Sequence, residues 1–258
     1  MSNHFCIFVA KKFNFFPKKI RSLTKFSEYD NYNNMQVNQL DIQYDMEIIT
    51  ETENETVIKT YRTSRHLEER VQEILQGILE KHNHSRLIPI LYTVLKELVI
   101  NANKANQKRV FFEENNYDIK NAEHYGVAIK QYKKIFNESM SELYAPKCKS
   151  KGYYCLILFE YDENGLKIEI RNNTIIAEQE EKSLREKLSM AMGYDDLAQF
   201  YMDNADNTEG AGLGLALIII MMKGEGIDPN LFRISITNEY TSARLEIPFT
   251  DDFKTARN

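Results

Sequence analysis

RLIPILYTVLKELVINANKAN, residues 86–106, places Leu91, Val94, Leu95, Leu98, Val99 and Ala102 at the spacing of one helix face. Within it Glu97, Asn101 and Lys104 fall at i, i+4 and i+7, so three polar groups share one edge of a mostly buried helix. A carboxylate, a carboxamide and an ammonium in that order suit a metal-nucleotide. The amide oxygen can ligate Mg²⁺, the ammonium can meet phosphate oxygens, and the carboxylate can orient or deprotonate a nucleophile. The same residues also describe a plain helix with one solvated edge, and ExxxNxxK alone is too loose to choose.

A second stretch decides between them. EGAGLGLAL, residues 209–217, alternates Gly210, Gly212 and Gly214 and runs into the apolar IIIMMK. Glycines let backbone N–H groups approach an anion, and the helix that follows brings the positive end of its dipole. A tight turn packing a helix on a sheet would use the same glycines. An acid-amide-lysine helix followed by a glycine cradle that opens a buried helix is much more restrictive than either alone.

Together these stretches resemble the GHKL superfamily, which includes type II topoisomerases, histidine kinases and mismatch-repair ATPases. ELVINANK looks like its N box, and EGAGLGLAL like the glycine-rich box that closes its ATP lid. The resemblance covers roughly residues 86–249 and implies the Bergerat fold. That is an α/β (α+β) two-layer sandwich with a mixed, mainly antiparallel sheet and helices on one face. It implies ATP and Mg²⁺ as ligands, with Asn101 holding the metal and Lys104 at the phosphates. Gly210, Gly212, Leu213 and Gly214 would wrap the phosphate tail, and Glu97 matches the general base of the hydrolysing and serine-kinase branches.

Two departures from that family stand out. Where the family reads adenine with an Asp in a DxGxG-like box, this chain has RNNTII, residues 171–176. Asn172 aligns with the Asp, and Thr174 and Ile176 replace glycines. An Asn oxygen can still accept from an exocyclic amine, with less charge. The second departure is an insertion at residues 107–150, rich in Lys, Glu, Asn and Tyr, with a helical middle over 122–143. Thr241 matches a family threonine that faces the phosphates, or serves as an ordinary turn residue.

The remaining chain is read from pattern. Strands are expected at 42–49 and 56–61, and a helix over 66–81 behind a Ser64 cap. The hairpin 153–161 and 166–171 turns at DENG, where Asn164 and Gly165 would supply positive φ. Lid helices are expected near 178–192 and 195–202, a core helix at 213–222, and a last hairpin at 231–238 and 242–248. His66 invites a phosphoacceptor reading but lacks the following acid, and His82 and His84 read as a solvated turn.

Residues 1–26 hold six Lys or Arg and no acid. With 28–39 they read as a basic tail and linker, and residues from 250 as a second tail. The domain boundaries expected are therefore 1–39, 40–85, 86–249 and 250–258. Net charge is −5, which gives no general attraction to nucleic acid. The three cysteines are too few and scattered for a disulfide framework, as in a cytoplasmic protein. No apolar run is long enough to span a bilayer.

The functional expectation is a histidine-kinase-like, Mg-ATP-binding ATPase or phosphotransferase in signalling. It would have a protein partner or phosphoacceptor, and a homodimer is compatible with it. Its alternatives are a serine/threonine (anti-sigma-type) kinase, favoured by Glu97, and a non-catalytic nucleotide sensor, favoured by RNNTII.

Overall fold

The computed structural model describes residues 46–135, 138–203 and 213–255. The basic tail, the linker and the start of the first expected strand lie outside them. So do Gly210 and Gly212.

Six strands form one open sheet: β1 (Met46–Glu51), β2 (Glu55–Thr60), β3 (Cys155–Tyr161), β4 (Gly165–Asn172), β5 (Phe232–Ile236) and β6 (Thr241–Pro248). Their spatial order is β1-β2-β3-β4-β6-β5. Every neighbouring pair is antiparallel, so the mixed sheet expected from the family is corrected. Period-2 alternation explains which face is covered. Cys155, Ile157 and Phe159 on β3 and Ile168 and Ile170 on β4 are buried, while Lys167, Glu169 and Arg171 between them are half-exposed.

Seven helices are seen among the described residues: α1 (Arg65–Lys81), α2 (Ile88–Glu114), α3 (Ala122–Ile135), α4 (Glu138–Ser150), α5 (Glu178–Met192), α6 (Leu197–Asp203) and α7 (Leu213–Gly224). Ser64 caps α1 by accepting a hydrogen bond from the Leu67 N–H at 3.2 Å, and Leu67, Val71, Leu75, Ile78 and Leu79 bury its stripe. α2 rests on β3 and β4, with α1 and α7 packed against it and α5 packed on α7. Leu91, Leu95, Leu98 and Val99 of α2 are buried together with Ile218 of α7. None of the described helices is long and apolar enough to cross a membrane.

The stretch read as an insertion, residues 107–150, divides in two: residues 107–114 continue α2, and α3 and α4 lie on its C-terminal half. A separate aromatic core forms there from Val110, Phe111, Phe112, Ala128, Tyr132, Tyr144 and Cys148. Tyr132 packs on Phe111 with centroids 5.5 Å apart, and Tyr125 on Phe112 at 5.7 Å.

Two local expectations change. The DENG turn uses no positive φ: the Asp162 carboxylate accepts from the Asn164 and Gly165 N–H groups at 2.8 and 3.0 Å, an Asx turn. Gly165 is required for another reason, because a Cβ there would run into the Phe253 ring. His82 and His84 are not a solvated turn. Both half-buried rings stack on Phe249, with centroids at 5.1 and 4.4 Å, and Asn83 between them takes φ 63°.

Candidate functional site

Gly214 of the glycine-rich stretch reaches the polar edge of α2, over a hundred residues earlier in sequence. Gly214, the second residue of α7, lies so close to α2 that a Cβ on it would stand 2.5 Å from Glu97 Oε2 and 3.6 Å from Asn101 Nδ2. Any side chain here would displace the Glu97 carboxylate, so the glycine reflects close approach rather than backbone conformation. The helix phase predicted from spacing holds: Asn101 and Lys104 are exposed and Glu97 is half-buried.

The opposite side of α2 carries a second polar row. Asn103, Asn106 and Gln107 are buried, at 2%, 0% and 1% exposure, and each hydrogen-bonds a different neighbour. Asn103 Nδ2 donates to Thr63 Oγ1 at 3.2 Å, and Gln107 Nε2 to Ser141 Oγ at 2.9 Å. Asn106 Oδ1 accepts from Thr174 Oγ1 at 3.2 Å. These amides register the helix against the β2–α1 link, α4 and the β4 exit.

Asn172 ends β4 at 7% exposure, and its Nδ2 donates to the Ala102 carbonyl of α2 at 3.0 Å. That bond orients the amide and turns Oδ1 into an acceptor with no hydrogen-bond partner. Thr174 and Ile176, standing where glycines were expected, belong to a braced segment. Thr241 Oγ1 donates to the Thr174 carbonyl at 3.0 Å and accepts from the Ile176 N–H at 3.1 Å. The Thr241 hydroxyl, at the start of β6, thus braces the main chain of this segment.

The root of α5 is a junction that the sequence reading missed. Glu180 lies on four groups: Lys108 Nζ, Arg109 Nη2 at 3.3 Å, the Tyr125 hydroxyl at 3.1 Å and the Ala177 N–H at 3.1 Å. Arg109 also donates to the Ile175 carbonyl. One carboxylate therefore serves two cations from α2, a tyrosine from α3 and the first turn of α5. Burial, with repulsion from Arg109 and Lys133, pushes the Lys108 ammonium down to about 7. Burial likewise lowers Arg109. The available signal was a Glu three residues beyond the helix-preceding Ala177, whose partners are 72 and 71 residues away in the chain.

The donor set is one that a magnesium-complexed nucleotide would need: Asn101 and Lys104 stand exposed on the edge of α2 that Gly214 approaches with the Glu97 carboxylate between, and the buried Asn172 Oδ1 is an acceptor with no hydrogen-bond partner. Leu213 begins α7 beside them.

No protein-family profile matches this chain, and neither does any solved structure. It is 28% identical over 198 residues to a protein of Treponema pallidum (strain Nichols) described as an uncharacterized protein. That match covers 77% of this chain and 38% of the relative, so the chain spans well under half the length of the protein it resembles.

Proposed function

We propose that this protein binds a magnesium-complexed adenine nucleotide between the polar edge of α2 and the N-terminus of α7, acting as a histidine-kinase-like ATPase or phosphotransferase in signalling. The observation that carries this reading is the approach of Gly214 to Glu97 and Asn101. It is supported by the acceptor left on Asn172 and by the exposure of Lys104.

In this reading each residue has a role its chemistry permits. The Asn101 carboxamide oxygen ligates the cation, Lys104 offsets phosphate charge, and Asn172 Oδ1 accepts from the exocyclic amine of the base. The bound nucleotide supplies a transferable phosphoryl group. Glu97 takes the proton of an attacking water or protein hydroxyl, and it does so from a half-buried position beside the helix terminus. A serine/threonine kinase would use the same base.

A second reading, nucleotide sensing without turnover, has its own support. The segment that follows Asn172 is tied down by Thr241, Asn106 and Arg109 at a point where the resemblance leads one to expect glycine freedom. Calorimetric titration of the full chain with ATP, ADP and GTP, with and without Mg²⁺, tests both. Micromolar, Mg²⁺-dependent adenine nucleotide binding that Asn101→Ala abolishes supports the site. Equal heats for wild type and Asn101→Ala overturn it. If Glu97→Gln keeps affinity but γ-phosphate release is absent in both proteins, sensing is the function.

A further inference from the structure

β1 closes one side of the sheet. Among the described residues it pairs only with β2, so the backbone groups along its outer side have no strand partner. Its two central residues, Ile48 and Ile49, are 44% and 55% exposed. The register says which face each residue of β1 joins: Ile48 stands opposite Ile58 and Glu51 opposite Thr56, with a bulge between Ile48 and Thr50 taking up the odd residue. Ile58 and Thr56 are buried and two apart, and Thr56 shares a cavity with residues of α1. Ile48 and Glu51 therefore lie on the helix-covered face of the sheet, at its rim, where α1 leaves both exposed.

Between that rim and α1 lies a cavity of about 230 Å³. Thr56 and Ile78 are buried at its floor, while Glu51, Glu73, Gly77 and Lys81 are exposed at its mouth. Gly77 keeps it open. A Cβ there would meet nothing within 4 Å, so neither packing nor backbone conformation asks for glycine in the middle of α1, and what its absent side chain leaves is room. The end of the cavity beside β1 is acidic. Arg70 reaches Glu51 on the strand and Glu73 on the helix, the latter at 3.5 Å, so one guanidinium serves two carboxylates. Lys81 stands eight residues beyond Glu73 on α1, about 12 Å along the axis. Residues 46–55 hold four Glu and no Lys or Arg. Glu47 is matched by Lys59, which leaves the Glu51–Glu73 end short of positive charge.

We infer that the outer edge of β1 and the flank of α1 form a docking groove for an extended, basic segment of a partner protein, added as a further strand beside β1. Main-chain groups of the segment pair with the open edge, an apolar side chain covers Ile48, and a lysine or arginine on the same face reaches Glu51 and Glu73 at the mouth beside Gly77. A second copy of this chain is the poorer occupant, because pairing β1 with itself lays one acidic edge against another. The groove stands independently of the nucleotide reading.

The test titrates the full chain with end-capped, fluorescent peptides six residues long, the length of β1, and follows their anisotropy. The probes are alternating valine and lysine, alternating valine and glutamate, and the valine-lysine peptide methylated on alternate backbone nitrogens in either register. The variants are Gly77→Leu, which fills the cavity from an exposed helix position, Glu73→Gln and Ile48→Lys, with thermal melts to verify folding. Wild type should bind the valine-lysine peptide about tenfold more tightly than the valine-glutamate one, and Gly77→Leu or Glu73→Gln should weaken that binding about fivefold. Ile48→Lys should reverse the preference, and methylation should weaken binding about tenfold in one register only. Valine-lysine binding indifferent to Gly77→Leu and to methylation is charge attraction alone and overturns the inference, as does the absence of binding by every peptide at millimolar concentration. Dimerisation in sedimentation that Ile48→Lys abolishes, without peptide binding, overturns it in favour of a second copy.

Discussion

Gly214 has no room for a methyl group unless Glu97 moves, and Glu97 is the end of a flexible side chain. Gly214→Ala should therefore fold, because Ala is the better helix former by about 0.5–1 kcal/mol. It should nonetheless weaken Mg-nucleotide binding at least tenfold by pushing the carboxylate into the cleft. A thermal melt together with titration calorimetry checks both halves. Glu97 also stands beside the helix terminus where an anion would sit, so Glu97→Gln should raise nucleotide affinity in EDTA while leaving Mg²⁺-dependent affinity within a few-fold. Lys108 gives a pH prediction. Its folded pKa, about 7, lies below that of the unfolded chain, so the unfolded state binds more protons between there and about 10.4. Stability should rise with pH across that window and level off below about 7, where both states carry the proton. Denaturant midpoints from pH 7 to 10 should climb in wild type and climb less in Lys108→Met.

Among elements, the root of α5 is the most sensitive joint. Glu180→Gln would leave Lys108 and Arg109 buried beside a neutral amide, costing about 3–5 kcal/mol, since breaking a buried pair strands its partners. Adding Lys108→Met should recover part of that loss in chemical denaturation. This joint was invisible in the sequence because a buried ion cluster has no period. Elements that do have a period were legible: the α1 stripe, the two lid helices and the four strands of the two later hairpins lie within one or two residues of expectation. The Glu97-Asn101-Lys104 edge was legible for the same reason. Sheet direction was not, because alternation along a strand says nothing about its neighbour. Nor were the separate courses of α3 and α4, since a single helical middle was read over 122–143 and α2 continues through residues 107–114.

For the molecule as a whole, the two polar rows of α2 set what the fold can tolerate. The far end of the domain is held by the His82 and His84 rings on Phe249, and burial together with Arg86 and His82 lowers His84. Its folded pKa is below the unfolded value near 6.5, so its contribution is complete above that pH and disappears as pH falls. His84→Phe should flatten the acid limb of the stability curve between pH 6.5 and 5, measured by thermal melts.

α2 has 27 residues and a length of about 40 Å, with one row of amides buried against neighbouring segments and a second row of polar groups, Glu97, Asn101 and Lys104, along another edge. Gaining or losing a single residue between Leu98 and Asn103 would rotate everything after it by about 100° and carry the buried amides away from the neighbours they bond. This stretch therefore tolerates substitution better than a change of length, and an engineered insertion belongs past Glu114, where α2 ends.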